Sequence, residues 1–297
     1  MNMADADPAR QLGAAKLGGG ELALRVCSAL VLAPLAIGIA YVGGWLFAVF
    51  WGLAAFGVLW EWTSLVAVGD RRAVLMTGAA AVALAVALTG AVGNAADGIH
   101  EVRLLGAITV LAMGMLGVAA LARKEERAWG AAGIPYAGLI GIAPIALRSD
   151  IGYGFTAVIF LFAIVWATDI VAYFIGRALG GPKLAPRISP KKTWSGAVGG
   201  ILAAIAVAIV VAKVAGLANV LALCSIAVML SVVAQAGDLF ESALKRRFGA
   251  KDSGQLIPGH GGLMDQLDGF VMAAALAAVI GLAHGGVEAP ARGLMVW

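Results

Sequence analysis

Residues Tyr153 to Ile175 read YGFTAVIFLFAIVWATDIVAYFI, an apolar run interrupted by one acid, Asp169. A helix rises about 1.5 Å per residue and the bilayer hydrocarbon is about 30 Å thick, so such a run is long enough to span it. Eight further runs share this character: Leu24 to Ile39, Trp45 to Leu65, Ala73 to Val92, Leu104 to Leu121, Ala131 to Leu147, Gly196 to Val211, Ala218 to Ala236 and Phe270 to Ala283. The Ala131 to Leu147 run is the weakest, because it is rich in Gly and Pro. None alternates polar with apolar residues as barrel strands would. The expected fold is all-α, a polytopic transmembrane helical bundle of about nine spans.

Composition agrees, with 62% hydrophobic and 13% charged residues in a 297-residue chain. These values exclude an ordinary soluble domain and make the lipid bilayer a partner of most of the surface. Three regions follow: a polar N-terminus over 1–23, N-terminal spans over 24–150, and a C-terminal region over 151–297 that carries charged connections at 177–195 and 237–268. Cys27 and Cys224 both fall in apolar runs, where packing suits them better than a disulfide or a metal.

With nine spans, 17 of the 21 Lys and Arg residues fall on the side of the N-terminus. Cytoplasmic loops are enriched in these residues, so the N-terminus and both large charged connections are expected to face the cytoplasm, as in a bacterial-type inner membrane. The asymmetry keeps its sign, eight against four, when those two connections are set aside.

The 237–268 connection reads GDLFESALKRRFGAKDSGQLIPGHGGLMDQLD. At 100° per residue, Asp238, Glu241, Ser242 and Lys245 share one helical face and Leu239, Phe240, Ala243 and Leu244 the other. Alone, this could be a solvated end of the eighth span. Beyond it lie Asp265, Asp268 and the Gly-rich turn around His260, Gly261 and Gly262. Glycine lets backbone N–H groups approach phosphate closely. Carboxylates such as Asp238 and Asp265 can hold a hard divalent cation. Lys245, Arg246 and Lys251 supply positive charge for phosphate oxygens.

The 177–195 connection holds Arg177, Lys183, Arg187, Lys191 and Lys192 without an acid. It reads either as a topology signal touching anionic headgroups or as a phosphate site helped by Ser189 and Thr193. Asp169 is costly inside a span and is expected to line a polar cavity, with Tyr173 and Arg177 continuing its stripe; a proton relay and a structural hydrogen bond are the other readings. There is no P-loop and no His-Glu-x-x-His helix. His100 and His284 stand apart, and the Gly196 and Gly200 pair reads as helix packing.

Taken together, the run Ser242 to Arg246, then Lys251-Asp252-Ser253-Gly254, then Leu256 to Asp265 and Asp268 resembles the signature of the phosphatidate cytidylyltransferase family, the CDP-diacylglycerol synthases. Asp169 to Phe174 and Lys183 to Trp194 are similar to that family as well. The resemblance covers about Trp166 to Phe270 and departs from the usual pattern at Gln266, where Arg is common, and at Ser195, where Glu is common. It implies transfer of a cytidylyl group from CTP to phosphatidate with Mg²⁺, and no nucleic-acid partner; a homodimer is compatible with it. By this resemblance the catalytic residues are Asp238, Lys245, Arg246, Lys251, Asp252, His260, Asp265 and Asp268, with Asp238 and Asp265 holding the metal. Asp169, Ser189, Lys191, Lys192, Thr193, Ser242, Gly261 and Gly262 are assigned to substrate binding.

Two other classes compete. A CTP-dependent polyprenol or dolichol kinase would transfer the γ-phosphate to an alcohol. A transporter would spread acids through several spans, whereas here the clear intramembrane acid is Asp169 and the others crowd at one membrane edge. A CDP-alcohol phosphotransferase is disfavoured, because Asp268-Gly269 is followed by Phe270-Val271-Met272.

Overall fold

The computed structural model describes residues 28, 30–66, 69–90, 100–257 and 261–297. Its helices are α1 (Leu30–Val42), α2 (Gly44–Leu65), α3 (Arg71–Gly90), α4 (His100–Leu121), α5 (Arg127–Arg148), α6 (Gly154–Leu179), α7 (Trp194–Val214), α8 (Val220–Arg247), α9 (Met264–Gly285) and α10 (Pro290–Met295). A small antiparallel hairpin, β1 (Lys183–Ala185) and β2 (Ser189–Thr193), joins α6 to α7. Among the described residues, eight helices, α2 to α9, are long and apolar enough to cross a membrane. The chain is thus a polytopic helical bundle, a multi-pass membrane protein. The expected first span, Leu24 to Ile39, corresponds to the shorter α1, which runs on to Val42; Cys27 and the polar N-terminus lie outside the described residues. Its C-terminal carbonyls are closed by Arg148, which donates to Ala40 O at 2.6 Å and Tyr41 O at 3.0 Å.

Helices α2 to α5 form one group and α6 to α9 another, joined mainly where α5 and α2 pack on α9 and α5 packs on α6. The run that looked weakest in the sequence, α5, is the most enclosed span, with 83% of its apolar window buried. Lipid tails are as apolar as leucine, so helices associate in a membrane by close packing, and small residues permit it. Gly133 leaves room for the Trp62 ring and Gly138 for Leu111. The Gly and Pro content of α5 therefore goes with a helix enclosed by its neighbours, with Pro135 and Pro144 accommodated inside it.

Aromatic rings tie the two groups together. Trp51 of α2 stacks on Phe270 of α9 at 4.8 Å and 8°. Nearer one end of the bundle, Trp62 of α2 packs on Tyr136 of α5 at 5.0 Å and on Phe240 of α8 at 6.5 Å. Each such pair contributes roughly 0.5–1.5 kcal/mol beyond its contact area.

Helices α6 and α7 meet through glycine. A Cβ on Gly196 would lie 2.6 Å from Ala172 O, and one on Gly200 2.9 Å from Thr168 O. Both contacts are to backbone, which cannot swing aside. Gly196→Val is expected to destabilise the bundle by about 1–3 kcal/mol, the usual range for overpacking. A lowered temperature of aggregation in detergent measures this, and a variant as heat-resistant as the parent would contradict it.

Two boundaries differ from the sequence expectation, and both bear on the site. The eighth span and the charged helix after it are one continuous α8 of 28 residues, about 42 Å long, so its last turns outrun the hydrocarbon. The last span begins at Met264 and not Phe270, which puts Asp265 and Asp268 in the first turns of α9. The 237–268 segment therefore divides into a helix end, a loop and a helix start.

Candidate active site

The chemistry-bearing side chains gather where the C-terminal ends of α2, α6 and α8 meet the N-terminal ends of α7 and α9. Helices α8 and α9 approach closely because Gly237 and Gly269 lack side chains. A Cβ on Gly237 would lie 2.6 Å from Asp268 O, and one on Gly269 3.0 Å from Ala234 O. Asp238 and Asp268 follow or precede these contacts by one residue, and Asp268 feels the charges of Asp238, Glu241 and Asp169. Four acids from three helices thus share one electrostatic neighbourhood.

Two lysines enter it from different elements. Lys192, from β2, donates to Asp238 Oδ2, tying the basic hairpin to α8. Ser242 Oγ lies one turn on and reaches Asp238 Oδ1 at 3.4 Å. Lys245 lies between Glu241 Oε2 at 2.5 Å and Asp265 Oδ1 at 2.6 Å. The Glu241 and Lys245 pair is spaced i, i+4 on α8, and Asp265 closes it from α9. With their side chains 1%, 13% and 12% exposed, Glu241, Lys245 and Asp265 form an ion cluster largely withdrawn from solvent.

Asp265 is held as firmly by backbone. Its Oδ2 accepts Gly262 N at 2.8 Å and Ser253 N at 3.0 Å. The Gly262 N–H, expected to face phosphate, is thus committed to Asp265. Gly261 does have a left-handed backbone, at φ 88°, and its carbonyl accepts Ile257 N at 2.9 Å. A side chain there would be strained, so the turn needs glycine. His260 lies outside the described residues.

The remaining expected residues fall into two sets. Arg246, Lys251 and Asp252 are exposed, and Arg246 donates to Ala250 O at 3.3 Å. In the hairpin, Lys191 is exposed, while Ser189 pairs across the strands with Ala185. Thr193 is placed differently from the substrate-contact expectation. It is 4% exposed, and its hydroxyl accepts Gly196 N at 3.1 Å as the N-cap of α7. Ser195, one of the two departures from the family pattern, donates to Gly180 O at 2.5 Å and so pins the end of α6 to the start of α7. Asp169 is open at its helix surface and senses both Asp238 and Lys192; along its stripe Arg177 donates to the Tyr173 hydroxyl at 3.1 Å.

Three residues emerge that the sequence reading left out of the site. Glu241 lies on the polar face that the helical period predicts and pairs there with Lys245. Tyr136, 7% exposed, sits within reach of the charges of Asp268, Glu241, Asp238 and Asp265, and its hydroxyl has no hydrogen-bond partner among the described residues. Glu61, 2% exposed in α2, corrects the view that Asp169 is the one clear intramembrane acid. An acid inside an apolar run was the available signal for Glu61 as it was for Asp169.

Paired acids and lysines at the mouth of a helical bundle, beside a basic hairpin, suit a phosphate-rich ligand. Comparison with known proteins gives the same direction. The model of the cytidylyltransferase family matches residues 23–283. The chain belongs to the cytidylyltransferase family. Within curated proteins, it is 57% identical over 129 residues to the phosphatidate cytidylyltransferase of Brucella abortus biovar 1 (strain 9-941), covering 43% of this chain and 48% of that one. It is 45% identical over 120 residues to the phosphatidate cytidylyltransferase of Bacillus subtilis (strain 168), covering 40% and 45%. The match spans about half the length of these curated relatives.

Proposed function

We propose that this cytidylyltransferase-family protein transfers the cytidylyl group of CTP to phosphatidate, forming CDP-diacylglycerol and pyrophosphate. The observation that carries this reading is the pair of lysine–aspartate bridges, Lys192 to Asp238 and Lys245 to Asp265, which join the basic hairpin, α8 and α9 into one charged surface. A phosphatidate phosphate oxygen attacks the α-phosphorus of CTP. The new P–O bond forms as the bond to the β-phosphate bridging oxygen breaks, and pyrophosphate leaves with that electron pair. The nucleophile is already anionic near neutral pH, so the protein has little proton transfer to perform. Its task is positioning and charge neutralisation.

Among the described residues, no group of three or more His, Cys, Asp or Glu side chains is arranged to hold a metal ion. The carboxylates present fit Mg²⁺ nonetheless, since this ion is commonly held by one or two carboxylates together with substrate phosphates and water. Asp238 and Asp265 would hold it, with Asp268 adjacent. Bound there, Mg²⁺ would supply charge neutralisation for the triphosphate. Lys192 and Lys245, each now on an aspartate, exchange that partner for phosphate oxygens as substrate arrives. Lys191 and Ser189 lie on the same hairpin, placed to meet the phosphatidate headgroup at the membrane edge. The excess of Lys and Arg on this side supports a site facing the cytoplasm of a bacterial inner membrane, with the N-terminus on that side.

Purified full-length protein supplied with CTP, phosphatidate and Mg²⁺ is expected to release pyrophosphate and a CDP-lipid in equal amounts. CDP together with a newly phosphorylated lipid alcohol would instead establish the lipid-kinase reading. Labelled substrate accumulating unchanged inside vesicles would establish transport.

A further inference from the structure

We infer that Glu61 is a positioning residue that fixes Ser253 and the start of α9 from the opposite half of the bundle. Its catalytic consequence rests on the cytidylyltransferase reading above; its structural consequence does not. Glu61 lies near the end of α2, and every acceptor direction it uses points at one loop. Its Oε1 accepts Leu263 N at 2.9 Å, while Oε2 accepts Met264 N at 2.7 Å and Ser253 Oγ at 3.2 Å. Leu263 is the N-cap residue of α9 and Met264 its first residue, and no side chain of α9's own N-cap closes that end. The first N–H groups of a helix have no partner within it, and an anion there also meets the positive end of the helix dipole. Glu61 thus caps α9 across a separation of about 200 residues.

The loop is shaped to receive this carboxylate. A Cβ on Gly254 would stand 2.5 Å from Glu61 Oε1, and one on Gly262 2.7 Å from Oε2. Gly262, which reads in the sequence as an opening for phosphate, and Gly254 serve here to admit an acid. Asp265 holds the other side of the same loop through Ser253 N and Gly262 N. Ser253 gives its N–H to one acid and its hydroxyl to the other. Displacing Glu61 therefore displaces Asp265, whose charge faces Lys245 and the reacting groups.

Glutamine at position 61 keeps the size but presents an NH₂ to backbone N–H donors, so one capping bond becomes a clash of donors. For Glu61→Gln, the turnover number is expected to fall roughly 10-fold and the Mg²⁺ concentration giving half-maximal rate to rise, the scale seen when a ligand's supporting bond is lost. The KM for phosphatidate should hold steady, because the hairpin is not touched. Hydrogen–deuterium exchange on the same protein without substrate should show faster exchange at Leu263 and Met264. A merely structural residue would lower yield or heat resistance without moving the Mg²⁺ requirement.

Wild-type turnover and Mg²⁺ requirement in Glu61→Gln, or unchanged exchange, would overturn the inference. Should that variant fail to fold, Ser253→Ala removes a single bond to Glu61 and is expected to shift turnover about 3-fold in the same direction. A Ser253→Ala protein identical to wild type in turnover and exchange would also overturn it. If wild-type protein makes no CDP-lipid, the functional reading fails, while the exchange comparison still decides whether Glu61 holds the loop.

Discussion

Replacing Asp265 by asparagine is expected to abolish cytidylyl transfer, with a loss of ~100-fold or more in turnover, the scale at which removal of one preorganised charge-handling group is felt. The substitution changes few atoms but several relations. Asp265 accepts from Lys245 Nζ at 2.6 Å, Gly262 N at 2.8 Å and Ser253 N at 3.0 Å, and every one of these partners is a donor. An amide nitrogen in place of one oxygen meets a donor whichever way the side chain is turned. The remaining oxygen carries no full charge, so affinity for a divalent cation falls as well. The loop keeps its Glu61 bonds, so the protein should still purify as a folded species. Rates of CDP-lipid formation across a Mg²⁺ series measure the effect. Ordinary activity at low Mg²⁺ would remove Asp265 from the metal-handling role.

Lys245→Met is expected to damage stability as much as activity. Lysine and methionine are similar in length and girth, so packing is preserved while the cation disappears. What remains is Glu241, with a side chain 1% exposed, and Asp265, 12% exposed, without the ammonium that lay 2.5 and 2.6 Å from them. Deleting one partner of a buried ion pair costs about 3–5 kcal/mol, because the other charge is left buried and unpaired. Thermal inactivation in detergent should therefore shift downward, and turnover should fall with the loss of a phosphate-facing cation. The mechanism makes a sharper claim about the double variant. Glu241→Gln combined with Lys245→Met removes the more deeply buried of the two stranded charges and leaves Asp265 with its Ser253 and Gly262 N–H bonds, so it should recover part of the stability and none of the activity. A double variant less stable than Lys245→Met alone would show that the damage is packing, not charge.

The sequence carried the class of the fold because hydropathy is a local property. A run such as Tyr153 to Ile175 must be helical in lipid, since no other open backbone conformation satisfies its own N–H and C=O groups there. The same locality exposes Asp238, Lys192, Lys245 and Asp265 as charges out of place beside apolar runs, and the 3.6-residue period alone gives the polar face of α8.

Only the tertiary structure decided which charges meet. Lys192 and Asp238 are 46 residues apart, and Glu61 and Met264 are 203 apart. Their pairing depends on how close α8, α9 and α2 can pack, which in turn rests on small residues such as Gly237 and Gly269. Periodicity along one helix carries no record of its neighbours. For this reason α5 reads as the poorest span in the sequence yet is the most enclosed, and the hydrogen bond by which Thr193 caps α7 is not legible along the chain. Hydropathy and charge along the chain determined that this is a membrane bundle with acids and lysines gathered toward one end. Close packing of helices distant in sequence decided which acids and lysines build that end, because electrostatic and hydrogen-bond partnerships act through space over a few ångströms.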